Sequence, residues 1–193
     1  MGVGMSYSND PDLPQFFSAD LCAAANIDAA TLKNWTSREP YALRLREDDR
    51  RAVGGRPHLF TYRTVLQAAI CAEFVILGLP PRRAGEFAKL FMNFGQGDSR
   101  DPERRDAGEL FPKASTVLVA YPAGPQDKKE LWASQAVNMT TETRLVDVFK
   151  QLNGGREVAA VVINVSEIYE RVRKTFGPEF APDFRIKRAG ATG

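Results

Sequence analysis

The chain has 193 residues, 44 % of them hydrophobic and 10 % aromatic, with a formal charge of +2. That length suggests one domain or two small ones, and that apolar content excludes disorder throughout. A charge so near neutral names no partner, so its distribution along the chain has to be read instead.

Two cysteines, Cys22 and Cys71, and one histidine, His58, cannot build a zinc site in a monomer, which needs about four ligands. The thiols read as buried and free in a reducing cytoplasm, and the expected location is cytoplasmic. The longest apolar run, residues 65–79, is interrupted by Gln67 and Glu73. It is shorter than the ~20 residues a bilayer span needs, so it reads as a core helix with no membrane partner. The opening "MGVGMS" formally fits the N-myristoylation pattern, but nothing nearby adds a second membrane signal. Residues 1–15 read as a flexible tail.

Ser18 is placed to cap a helix to about Ala25, with Leu21 and Cys22 inward. Asn26 makes a turn, and Asp28 caps a second helix to about Ser37. Leu32 and Trp35 lie three apart and share its inner face, with Trp35 in the core and not stacking on a base. Two short helices joined by a tight turn form a helix-turn-helix unit. Next, Leu43 and Leu45 alternate with Arg44 and Arg46 as in a half-exposed strand, "EDDRRAVGG" makes a charged turn, and "HLF" returns. These segments predict a β-hairpin wing. Glu47, Asp48 and Asp49 read as a solvated face or as partners of Arg50 and Arg51, and not as a metal site. Thr61 caps a long apolar helix over residues 62–77, which Gly78 ends. Pro80 and Pro81 start another, to about Phe94, with Phe87, Leu90 and Phe91 as its stripe. Residues 95–109, rich in glycine and charge, read as a linker.

The second half differs. "TVLVAY" (116–121) has a buried-strand pattern, and "LWASQAVN" is a candidate strand. "TRLVDVFKQL" (143–152) puts Leu145, Val148, Phe149 and Leu152 on one helical face. "EVAAVVINV" (157–165) reads as a strand buried on both faces. Ser166 caps a last helix with Ile168, Val172 and Phe176 spaced by four. Residues 178–193 read as a loose basic tail. No glycine-rich phosphate loop follows a strand, and no group of residues is arranged for nucleophilic or acid–base chemistry. The chain is therefore read as not an enzyme, with no catalytic residue, metal or cofactor.

Helix, turn, helix, basic hairpin, long helix and Gly-Pro break, in that order, resemble the DNA-binding domain of MerR-type winged-helix regulators. The likeness rests on "FSADLCAAANIDAATLKNW" and "GRPHLFTYRTVLQAAICAEFVILGLPPRRAGEFAKLF". It covers about residues 16–94. "TLKNW" stands where the family's second helix has Thr-Leu-Arg-Tyr-Tyr, "HLFT" stands for its hairpin return, and "LGLP" for Leu-Gly-Phe. Asn34 replaces an aromatic and His58 an arginine. The family's long dimer helix is not evident after residue 94. The resemblance implies an α+β chain: a winged helix-turn-helix over 16–94, a linker over 95–109 and a small α/β dimerisation or sensing module over 110–177.

The residues suit that expectation. A recognition helix meets the major groove through its N-terminal residues. Ala29 and Ala30 allow close approach and can meet thymine methyls, while Thr31, Lys33 and Asn34 offer hydrogen bonds. The free N–H groups at the helix start suit phosphate oxygens. Residues 31–64 hold eight basic against four acidic side chains, +4 locally, while the remainder holds 18 against 20. Arg44, Arg46 and Arg56 are assigned to the DNA backbone; Arg38 joins the DNA-binding set, and His58 reads as a solvated strand residue or a phosphate contact. The expectation is a site-specific duplex-DNA-binding transcription regulator. The alternatives are a phage-type excisionase or architectural protein, or an interaction or ligand-sensing module that keeps the motif as scaffold. Apolar surface in the second half predicts a homodimer through Val161, Ile163, Ile168, Val172 and Phe176.

Overall fold

A computed structural model of the protein describes residues 7–50, 57–97, 102–122, 132–140, 142–152 and 159–184. Among them six helices and three strands follow one another as α1 (Ser18–Ala25), α2 (Ala29–Ser37), α3 (Tyr62–Ile76), α4 (Pro81–Asn93), β1 (Ser115–Pro122), β2 (Trp132–Met139), α5 (Leu145–Gln151), β3 (Val161–Asn164) and α6 (Val165–Thr175). The class is α+β. The sheet is antiparallel throughout, in the order β2-β1-β3, so the second half is not built from parallel βαβ units.

α3 is the axis of the core. From Thr64 to Ala72 every residue is buried, as a helix surrounded on all sides requires. Thr61 caps it by accepting the Thr64 N–H at 3.2 Å, and Gly78 turns the chain at φ +92. α4 returns along α3. It buries Ala84, Phe87, Ala88, Phe91 and Met92, whereas Leu90, expected in the stripe, is exposed. Gly85 is required there because a Cβ would overlap the Ala42 carbonyl.

Helix starts differ from expectation in two places. α1 begins at Ser18, and the Phe17 N–H is held by the Asp20 carboxylate at 2.8 Å, so Asp20 and not Ser18 secures it. α6 is capped by Asn164, whose Oδ1 accepts the Glu167 N–H. Ser166 instead accepts the Thr116 N–H at 2.8 Å and ties α6 to β1.

β1 is the central strand and is buried on both faces. Leu118 and Ala120 enter the main core. Val117, Val119 and Tyr121 enter a smaller cluster with Val137, Val148 and Leu152. β3, expected to be the doubly buried strand, is a four-residue edge with only Ile163 buried. Ile163 points into the main core, and the opposite face of β3, with Val162 and Asn164, is exposed.

The core is continuous across both halves. Leu118, Ile163, Ile168, Val172 and Phe176 join the same cluster as α1, α3 and α4. The described parts of 95–109, expected as a linker, are packed. Arg105 is 4 % exposed. It donates to the Phe91, Phe94 and Asp106 carbonyls and lies 4.3 Å from the Phe91 ring centre. It thereby satisfies carbonyls at the end of α4. Burial pulls its guanidinium down to about 10, partly opposed by Glu109. The expected tails also pack where they are described. Tyr7 stacks on Phe16 at 5.0 Å, Phe180 is buried, and the Asp183 N–H donates to Asn9 at 2.8 Å.

Candidate nucleic-acid interface

The loop between α1 and α2 is short because Asn26 adopts the left-handed region at φ 54, which Asn tolerates. Its backbone N–H closes α1 on the Ala23 and Cys22 carbonyls. Asp28 then starts α2 by accepting the Thr31 N–H at 2.6 Å. That bond holds the Asp28 carboxyl below its ordinary 3.8. The same bond takes up one N–H that was expected to be free for phosphate at this end.

Leu32 and Trp35 form the buried side of α2, and the Trp35 carbonyl accepts the Leu43 N–H at 3.1 Å. Ala29, Ala30, Lys33 and Asn34 are exposed, Thr31 is half-buried, and Arg38 at the C-cap is exposed. The helix thus presents small residues at its start and hydrogen-bonding groups one turn on. That is the arrangement a groove-reading helix needs.

The described part of the expected wing is not a hairpin of paired strands. Residues 43–46 do not pair as a strand. Leu43 is fully buried, and among the described residues the expected arms share a single bridge, Arg50 with Leu59. Phe60 pairs on its other side with Phe16. The reason lies in Asp49, expected on a solvated tip but only 6 % exposed. Its carboxylate accepts from the Arg46 N–H, the Thr61 N–H and the Thr64 hydroxyl, each at 2.8 Å. Three hydrogen bonds fold the chain back onto the start of α3 and use the backbone groups a long hairpin would need. Arg56 and the hairpin tip lie outside the described residues.

The other expected backbone contacts divide. Arg44 is exposed. Arg46 is half-buried and donates through Nη1 to Asn93 Oδ1 at 2.8 Å, which commits it to α4. The half-buried His58 ring stacks on Phe60, 4.4 Å between centres and 8° from parallel.

Side chains missed in the sequence complete this face. Arg82 and Lys89 on α4 line the same shallow cleft as Arg44 and Tyr41. A neighbouring hollow joins Arg82 to Thr31, Asn34 and Arg38 of α2. The surface therefore runs without a break from α2 past Glu39 and Pro40 to α4. Arg82 and Lys89 are seven apart, two helical turns on one face, opposite Phe87 and Phe91. Marking the polar positions of that helix, as the apolar ones were marked, would have found them.

The residues expected to form a dimer are in the wrong place for it. Ile163, Ile168, Val172 and Phe176 are buried within the chain and Val161 is half-buried. α6 packs on α1, α3 and β1, and Phe16 lies 4.4 Å from Phe176. The cover that a second copy was to supply comes from the chain's own first half.

Cys71 is buried and its thiol is pushed up to about 12, so it stays protonated, while Cys22 is only half-buried. Among the described residues no group of three or more His, Cys, Asp or Glu is placed to hold a metal ion, and no helix is long and apolar enough to cross a membrane. Neither the models of known protein families nor the curated proteins give a match to this chain.

Proposed function

We propose that this chain binds duplex DNA through α2 and acts as a site-specific transcription regulator of MerR-like type. The observation that carries the reading is the division of α2. Leu32 and Trp35 anchor it from beneath, while Ala29, Ala30, Lys33 and Asn34 face outward with no element over them among the described residues. Small residues at the start let the helix approach base edges closely, and Lys33 and Asn34 are suited to guanine and adenine edges. Arg38, Arg44, Arg82 and Lys89 flank it with positive charge, as phosphate contacts require. The expected wing contributes less than the hairpin of such proteins, because Arg46 is turned toward α4. The cationic edge of α4 supports the reading in its place.

Selection of bound duplexes from a random-sequence pool tests this. The expected result is enrichment of a short consensus, with affinity that falls steeply as salt rises. A pool that emerges unenriched at low and moderate salt contradicts it, and favours a module that keeps the motif as scaffold.

A further inference from the structure

The sheet ends on an edge that carries none of the usual protection. β2 is eight residues long and, among the described residues, pairs with β1 on one side and with no strand on the other. Exposed edges are guarded by lysine, proline, a bulge or shortness. β3, the opposite edge, has four residues. β2 reads "WASQAVNM", with no charge, proline or glycine. Its register on β1 runs unbroken from Trp132 to Met139, so no bulge turns the edge away.

Two side chains of this strand are also unfinished. Ser134, Ala136 and Asn138 point to the side on which Leu118 and Ala120 enter the main core. Ser134 Oγ and Asn138 Oδ1 are covered yet have no hydrogen-bond partner among the described residues. One can donate and the other accepts. They stand four residues apart with Ala136 midway. An antiparallel copy of β2 centred on Ala136 sets Ser134 opposite Asn138 twice, on one face of the sheet and at cross-strand distance. One rotamer step of the serine and a turn of the amide bring the two groups together. The same register sets Gln135 against Val137 and Ala136 against itself, so no charge meets its like.

The helix packed on β2 is open along one side. Gly85 of α4 lies against the Ala42 carbonyl. Phe94 is nine residues further on, which at 100° a residue places it on the opposite side of the helix. Phe94 is 61 % exposed and Leu90, beside it, 43 %. Lys89 and Arg82 fall nearer the Gly85 side and line the cleft with Ala42. The apolar side of α4 is therefore separate from the face proposed for DNA.

We propose that a second copy of this chain pairs with β2, antiparallel and about a two-fold axis at Ala136, joining two three-stranded sheets into one of six. The axis stands perpendicular to the sheet. Both α4 helices then lie on one face, and Leu90 and Phe94 cover their counterparts. The occupant is this chain itself because the complement of Ser134 and Asn138 is the same pair read backwards. The pairing leaves α2 uncovered and does not depend on DNA binding.

Sedimentation equilibrium of the full-length protein without DNA, from low to high micromolar concentration, tests it. Wild type is expected to be a dimer. Gln135→Lys sets a charge beside Val137 of the second copy, and Phe94→Glu sets two carboxylates against each other. Each is expected to give a monomer with the wild-type circular dichroism spectrum, and Phe94→Glu changes an exposed side chain that the single chain does not need. Ser134→Ala and Asn138→Ala are each expected to weaken the dimer about 10-fold, and the double variant no more than either alone. Leu77→Glu, on the exposed apolar corner after α3, is expected to remain a dimer. Wild type that is monomeric throughout overturns the proposal. So does a dimer that survives both Gln135→Lys and Phe94→Glu, or one that Leu77→Glu dissociates in their place. Additive losses in the Ser134→Ala, Asn138→Ala double variant overturn the register centred on Ala136.

Discussion

Helices α2 and α6 look alike on paper and behave differently. Each is short, capped by an acid or its amide, and striped with apolar residues at helical spacing. α2 buries Leu32 and Trp35 and leaves its other side bare. α6 buries Ile168 and Val172, with Phe176 just beyond its end. That stripe was read as open to a second chain, yet α1 and α3 already cover it. An apolar stripe states that a helix must bury one face. It does not state what the partner is, because any apolar surface within reach satisfies the same free energy. What distinguishes the two helices is the outward face: small and uncommitted on α2, and on α6 charged and tied up. Arg171 bonds Glu73 at 2.6 Å and Arg173 bonds Glu170 at 2.9 Å.

The sharpest way to break this contrast is a charge under α6. Val172 is fully buried, so Val172→Asp should cost roughly 4 kcal/mol or more and leave the chain unfolded or molten. Circular dichroism melting with sedimentation reads the result. A well-folded Val172→Asp monomer would restore the stripe as a subunit interface. Next in size is Arg105→Ala, which strips hydrogen bonds from the Phe91 and Phe94 carbonyls at the end of α4. About 2–4 kcal/mol should be lost in urea unfolding. An unchanged midpoint would make residues 102–109 the passive linker they were expected to be.

On the α2 side the effect is smaller. Asp28→Ala removes the cap and should lower the melting temperature by about 2–4 °C, with Asp28→Asn nearly silent. Because the folded carboxyl titrates below its ordinary 3.8, the charge-dependent part of the cap is fully present above about pH 4 and is lost as pH falls through the folded value. The difference between wild type and Asp28→Ala should therefore narrow in acid toward that between Asp28→Asn and Asp28→Ala; a gap that does not change with pH means the charge contributes nothing. Smallest is Tyr62→Phe. The Tyr62 hydroxyl is buried beside Phe16, Phe176 and Phe180 with no hydrogen bond among the described residues. Its removal should change stability by less than ~1 kcal/mol, in either direction. A loss of twice that would reveal a partner for the hydroxyl beneath α6.

Local signals in the sequence carried most of the first half. Asp28, Thr61 and Gly78 mark helix ends by side-chain chemistry that acts within a few residues, and the structure keeps all three. The Asn26 turn was legible for the same reason. Long-range pairing was not. Asp49 stood in a charged run and read as solvated, because nothing local discloses Thr61 and Thr64 waiting twelve and fifteen residues on. β1 is buried as its pattern predicts, but β3 is not: both are apolar runs, and only strand order decides which is central. Arg105 read as linker charge because the carbonyls it satisfies belong to α4. Of the candidate interface, α2 was legible from composition and spacing and the Arg82–Lys89 stripe from the polar positions of α4, while the closeness of the two needed the packing of α4 against residues 42–46.

The central claim is that the bare face of α2 reads DNA. Its most direct measurement is the affinity of Lys33→Ala and Asn34→Ala for a duplex carrying the selected consensus, set beside their melting curves. Each variant should lose roughly 1–3 kcal/mol of specific binding with its melting temperature unchanged, since both side chains are exposed. Wild-type affinity in both variants would contradict the account.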